Sequence, residues 1–250
     1  MIIAVVGKGG VGKTTVAALL LRRLLEAHET PVLGIDADPS SCLASALGIP
    51  VGRTLADERE SLREARDRPP SMSQAEWLEL KVHEILVEHD GFDLLTMGRP
   101  EGPGCYCFVN NLIRDHLDRL GHGYRHVLID CEAGLEHLSR RTAGRPDVLV
   151  CVTNRARMAA ETVERALRVY AELHGALPPR VDLVLNGFEP DEPWGDEMAR
   201  LAGAEAGVFC RVLTVPFDQR VAENERMGGS LLELDRATPA ARAMQSWELA

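Results

Sequence analysis

The sequence predicts an α/β fold: a doubly wound, mostly parallel sheet of seven or eight strands with helices on both faces. Three observations carry that expectation. Short β-rich apolar runs alternate with helical patterns along the chain, the signature of a layered α/β sheet. Most of the runs are continuous rather than alternately apolar and polar, as expected of parallel strands covered on both faces. A glycine-rich turn joins the first run to an apolar helix, where such a fold puts its ligand loop.

In chain order the strands are IIAVV (2–6), PVLGID (31–36), FDLLTM (92–97), YRHVLID (124–130), DVLVCVT (147–153), VDLVLN (181–186) and RVLTVP (211–216). Helical patterns lie between them, among them Thr14–His28, Glu161–His174 and Asp196–Ala206. The charged stretch Arg53–Asp90, interrupted by Pro69 and Pro70, is the least regular part and reads as a helical insertion at about 53–90 in one domain spanning 1–250. A chain of 250 residues is long enough to bury a sizeable core.

Composition excludes several classes. The formal net charge of −10 argues against broad nucleic-acid binding, which needs a basic surface, and against adhesion to anionic lipid. No apolar run approaches the about 20 residues of a membrane helix. The amino terminus enters a strand at once, without a basic region or small-residue cleavage site, so a cytoplasmic protein is expected. Six scattered cysteines in such a chain do not suggest a disulfide framework. Of 28 basic residues only Lys8, Lys13 and Lys81 are lysines, and two of them stand five residues apart near the start. Something there needs a compact ammonium rather than a planar guanidinium.

That place is GKGGVGKT, Gly7–Thr14, which fits G-x-x-x-x-G-K-[ST] with a strand running in and a helix running out. The glycines let backbone amides and a helix N-terminus close around phosphates. Lys13 reaches the β- and γ-phosphates in such a loop, and Thr14 ligates Mg²⁺. The expected nucleotide contacts are Gly7, Lys8, Gly9, Gly10, Val11, Gly12, Lys13, Thr14 and Thr15, and the fold that of a P-loop NTPase.

With Lys8 included, the loop resembles the deviant Walker A motif K-G-G-x-G-K-T of the nitrogenase iron protein, the arsenite-pump ATPases and the MinD/ParA-type ATPases. The resemblance implies that Lys8 reaches the nucleotide of a second subunit, so that ATP is clamped in a homodimer. It further implies that Asp38 of IDADPSSC orients the attacking water and that Asp36 supports the Mg²⁺ shell. In VLIDCEAG it implies a Mg²⁺-associated carboxylate at Asp130 and a switch hinge at Gly134. Asn186 in LVLNG would read the adenine edge, and Pro216 and Phe217 in VPFD would flank it.

The segment GPGCYCFVNN carries Cys105 and Cys107 one residue apart. Core packing, a strained small-ring disulfide and half of a metal site are all open readings. One chain supplies only two thiolates, and a two-fold dimer would supply four. Together with DADPSSCLASALG and DCEAGLEHLSRRTA, the segment resembles the CooC-type maturation ATPases of carbon monoxide dehydrogenase. That resemblance runs through most of the chain. It implies Ni²⁺ or Zn²⁺ held between subunits by the C-x-C pairs, and ATP turnover linked to loading nickel into a client metalloenzyme. Cys42 also matches the family pattern, although packing is its simpler reading; His137 is set aside as a metal ligand.

Two rival readings follow from the same residues. A [4Fe–4S] cluster bridging a dimer, as in the nitrogenase iron protein, fits GRPEGPGC, but the second cysteine of that pattern falls where this chain has Ala133. A positioning ATPase acting on DNA or membrane needs a basic face or a cationic amphipathic tail, and ATPAARAMQSWELA supplies neither.

Overall fold

The structure, a computed structural model, describes residues 1–58, 68–98, 120–132, 145–188, 196, 199–201 and 207–248. Among the described residues eight strands form one sheet: β1 (Ile2–Gly7), β2 (Val32–Asp36), β3 (Val87–His89), β4 (Phe92–Thr96), β5 (His126–Asp130), β6 (Val148–Thr153), β7 (Arg180–Asn186) and β8 (Arg211–Val215). Their order across the sheet is β3-β4-β2-β5-β1-β6-β7-β8. Every neighbouring pair is parallel except β3 with β4. The doubly wound, mostly parallel sheet expected from the alternating pattern is therefore present. The strand the pattern does not show is β3, a three-residue antiparallel edge inside the segment that reads as helical.

Among the described residues the helices include α1 (Lys13–Glu26), α2 (Cys42–Ala46), α3 (Gln74–Ile85), α4 (Arg157–His174), α5 (Gln219–Met227) and α6 (Pro239–Gln245). A capping box defines the start of α3: the Ser73 hydroxyl accepts from the Glu76 amide, and the Glu76 carboxylate accepts from the Ser73 amide. Among the described residues no helix is long and apolar enough to cross a membrane.

Strand alternation sorts β1 into two cores. Ile3 and Val5 face a cluster built with Leu19, Leu20 and Leu24 of α1 and Trp247 near the carboxyl terminus. Ala4 and Val6 face the opposite cluster, with Val163, Leu167 and Tyr170 of α4. Apart from Ile2 at the start of β1 the central strands are buried throughout, which explains their continuous apolar runs.

This topology fixes the position of the site. From β1 the chain first builds outward on the β2 side, then crosses to β6 and builds the other way. The crevice at the carboxyl ends of β1 and β6 is the topological switch point where such sheets bind ligands.

Candidate nucleotide-binding site

At the switch point β1 ends in Gly7, where the chain must pass close to β6. A Cβ on Gly7 would lie 2.3 Å from the Val152 carbonyl oxygen, so only glycine fits. The loop closes at Gly12, whose φ of 89° is left-handed and starts α1. The side-chain amide of Asn186, at the end of β7, donates to the Val11 carbonyl at 2.9 Å. A Cβ on Gly12 would strike that same amide at 2.1 Å. Gly12 and Asn186 thus depend on each other: one must be small for the other to hold the loop.

The amino end of α1 has no side-chain cap and no acid in its first turn. Its first amides and the positive end of its dipole are left to serve an anion. Lys13 is buried, and its ammonium donates to the Lys8 carbonyl at 3.3 Å across the loop. Lys8 itself is half-buried, whereas Gly9 and Gly10 are exposed.

The carboxylates behind the loop differ in kind. Asp130 is fully buried, and neither of its oxygens receives a well-formed hydrogen bond. Burial pushes its pKa up to about 7; the nearby Thr14 hydroxyl pulls it down, as does Lys13, while Asp36 and Asp38 raise it further. A buried carboxyl with orphaned oxygens beside Thr14 fits a cation, so Thr14 and Asp130 are the residues that would hold a nucleotide-bound Mg²⁺.

Asp36 lies in register beside Asp130 but is occupied differently. One of its oxygens accepts from the amides of Leu43 at 2.8 Å and Ala44 at 3.4 Å, capping α2. The other accepts from the Asp38 amide at 3.2 Å. Burial raises Asp36 to about 6 against those amides. Asp38 is half-buried and accepts from the Ser40 amide at 2.8 Å, a local turn that sets its carboxylate on the loop after β2.

On the other side of the phosphate loop a cavity of about 670 Å³ opens, lined by Gly12, Thr15, Asn186, Pro216 and Phe217 among others. The sequence-predicted positions from both halves of the chain therefore meet. Pro216 is buried, whereas Phe217 is 61% exposed. Glu225 of α5 also lines the cavity and accepts a hydrogen bond from the Thr15 hydroxyl at 2.8 Å. Sequence reasoning missed Glu225, because a single glutamate on a polar helix gives no signal until the fold brings it to a residue 210 positions away.

Cys105, Cys107, Gly134 and His137 lie outside the described residues. Among the described residues no group of three or more His, Cys, Asp and Glu side chains is placed to hold a metal ion. Cys131 and Cys151 are buried in or beside the sheet, where burial raises the thiol pKa, to about 12 for Cys131. Cys42 is exposed at the start of α2, its pKa raised by partial burial and by Asp38, Asp36 and Asp130. None of these three has the electropositive surroundings that make a reactive thiolate.

A phosphate loop at the switch point, with an uncapped helix behind it and a buried cation-seeking carboxylate beside it, defines a P-loop nucleotide-binding protein. The chain belongs to the CobQ/CobB/MinD/ParA nucleotide-binding domain family, whose pattern matches residues 2–231. It is 40% identical over 238 residues to an uncharacterised ATP-binding protein of Methanocaldococcus jannaschii, covering 94% of this chain and 91% of that one. It is 36% identical over 187 residues to the carbon monoxide dehydrogenase accessory protein CooC of Rhodospirillum rubrum, covering 70% of this chain and 68% of that protein. Among solved structures, a ParA family ATPase from Chlorobium tepidum superposes with a TM-score of 0.72 at 19% identity, over 98% of this chain and 97% of that one. The superposition shows that this chain has the fold of that ATPase, and the family match makes it a nucleotide-binding protein.

Proposed function

We propose that this chain is an ATP-hydrolysing metallochaperone that carries nickel or zinc on Cys105 and Cys107 and couples ATP turnover to maturation of a metalloenzyme, with carbon monoxide dehydrogenase as the client. The observation that carries the reading is the C-x-C pair itself, in a chain 36% identical to a carbon monoxide dehydrogenase accessory protein. Thiolates suit Zn²⁺, and Ni²⁺ where the site flattens toward square-planar.

The residues around the phosphate loop each have a part in this cycle. Amides of Gly9 to Thr14 and the start of α1 bind the triphosphate, and Lys13 gives up the Lys8 carbonyl for its outer phosphates. Thr14 and Asp130 would hold a nucleotide-bound Mg²⁺, which when bound would supply positive charge against the phosphates. Asp38 orients water, and Asp36 keeps the Asp38 loop and α2 in place. Asn186 keeps its donor on Val11, which leaves its carbonyl oxygen to accept from the exocyclic amine of adenine. Lys8 reaches a second copy's nucleotide, and the closure of two subunits brings two C-x-C pairs to one ion.

Metal and sulfide analysis of anaerobically purified protein, with and without a non-hydrolysable ATP analogue, tests the proposal. The expected result is about one Zn²⁺ or Ni²⁺ per dimer, lost when Cys105→Ala and Cys107→Ala are combined. Unchanged metal in the double variant removes the pair from the site. A brown protein containing iron and sulfide replaces metal delivery with ATP-dependent electron transfer.

A further inference from the structure

The helix that follows Asp38 is held at both ends, and one of its two holders lies outside the nucleotide site. α2 has five residues, too few for internal hydrogen bonds alone to fix its position. Asp36 caps its first amides. At the other end the Leu47 carbonyl, past the last turn of the helix, accepts from the Ser230 hydroxyl at 2.6 Å. That hydroxyl oxygen accepts in turn from the Leu232 amide at 3.2 Å, so its single proton is committed to Leu47. The approach is close: Gly48 has a φ of 69°, and a Cβ there would lie 2.8 Å from the Ser230 Cβ.

Ser230 is itself fixed from behind. It caps a 3₁₀ turn, Leu231–Glu233, whose Leu231 is fully buried in the core cluster that α1 shares. The Ser230 carbonyl accepts from the Asn224 side-chain amide at 2.9 Å. Asn224 belongs to α5, whose Val221, Ala222 and Glu225 line the nucleotide cavity and whose Glu225 accepts from Thr15. One helix therefore lines the cavity and, through Asn224 and Ser230, reaches the far end of α2.

We propose that Ser230 is a positioning residue for ATP hydrolysis. Its hydroxyl ties α2, and with it the loop of Asp38, to the helix that lines the nucleotide cavity. Occupancy of the cavity then bears on where Asp38 stands, across a contact between residues 183 positions apart. The proposal rests on the reading of Asp38 as the residue that orients water. Ser230 does not line the cavity, so its loss should slow turnover without weakening ATP.

Calorimetric titration with ATP and phosphate release, both on the full-length protein, separate positioning from binding. Ser230→Ala is expected to keep ATP affinity and to lower kcat at least about tenfold, as a displaced catalytic group does. Ser230→Thr retains the hydroxyl and should turn over near the wild-type rate. Hydrogen exchange reads the tie itself. A non-hydrolysable ATP analogue should slow the amides of 43–49 and of α5 in the wild type, but only those of α5 in Ser230→Ala. Wild-type kcat in Ser230→Ala, equal slowing of 43–49 in that variant, or a Ser230→Thr rate as low as that of alanine overturns the proposal. Asp38→Asn is the control, expected to bind ATP and lose turnover. If it hydrolyses ATP normally, the reading of Asp38 falls, an outcome distinct from loss of the tie, which the exchange experiment reads independently. Thermal melting confirms that each variant is folded.

Discussion

Asp130 shows how much of the chemistry depends on one buried group. Its pKa is raised from 3.8 to about 7, chiefly by burial. Between those values the folded protein holds a proton that the unfolded chain has released. Stability of the nucleotide-free protein should therefore fall as pH rises from about 4 to about 7, by up to about 1.4 kcal/mol per pH unit for such a group. Asp36, raised to about 6, acts in the same direction over a narrower window. Cation binding needs the ionised form, so Mg²⁺-dependent nucleotide affinity should weaken as pH drops below about 7. Urea denaturation across that range checks the first claim, and Asp130→Asn should remove most of the slope. A variant with the wild-type slope would mean that the proton sits elsewhere.

Among the elements, β7 does two jobs at its two ends. At the carboxyl end Asn186 secures the phosphate loop. Near the amino end Arg180 grips Asp182 through two guanidinium nitrogens, at 2.7–3.0 Å, and the Trp247 indole donates to the same carboxylate at 2.8 Å. The guanidinium carbon also lies 5.0 Å from the Trp247 ring centroid. This buried network pins the segment after α6 against the sheet. Trp247→Phe keeps the packing but removes the donor, and should cost about 1–3 kcal/mol. Trp247→Ala should cost about 3–5 kcal/mol in urea unfolding. An alanine variant within about 0.5 kcal/mol of wild type would show that the carboxyl-terminal segment contributes little to the fold.

Legibility at this scale followed the length and chemistry of each segment. Strands buried on both faces announce themselves as apolar runs, and α4 was readable over Glu161–His174 although it begins at Arg157. β3 is Val-Glu-His, too short and too polar to give a run. α2, five residues long, begins at Cys42 and owes its cap to Asp36, a residue that in the sequence reads as a metal-shell carboxylate. The phosphate loop was legible because its residues are contiguous. The orphaned state of Asp130, the donor that Asn186 spends on Val11 and the Thr15–Glu225 contact were not, since each arises only when distant segments meet.

At the scale of the whole molecule the central place of β1 in the sheet puts the phosphate loop at the crevice. The loop after β1 opens on the crevice face of the sheet, and Lys8 sits on that loop with its backbone carbonyl taken by Lys13. In the proposed cycle the Lys8 side chain reaches the nucleotide of a second copy. ATP or its non-hydrolysable analogue should shift the solution mass from one chain to two. Lys8→Ala should bind ATP, stay a single chain and turn over ATP at least tenfold more slowly, the scale of loss expected for a transition-state cation. Mass measurement in solution together with phosphate release checks both, and normal turnover by this variant would remove the cross-subunit contact from the cycle.

The antiparallel edge strand has a consequence of a different kind. β3 ends the sheet after three residues, and its Glu88 and His89 are exposed. A foreign strand approaching that edge meets a short, charged and reversed template, which discourages continuous pairing. On that side of the sheet the protein can be crowded without recruiting other chains into a growing ribbon.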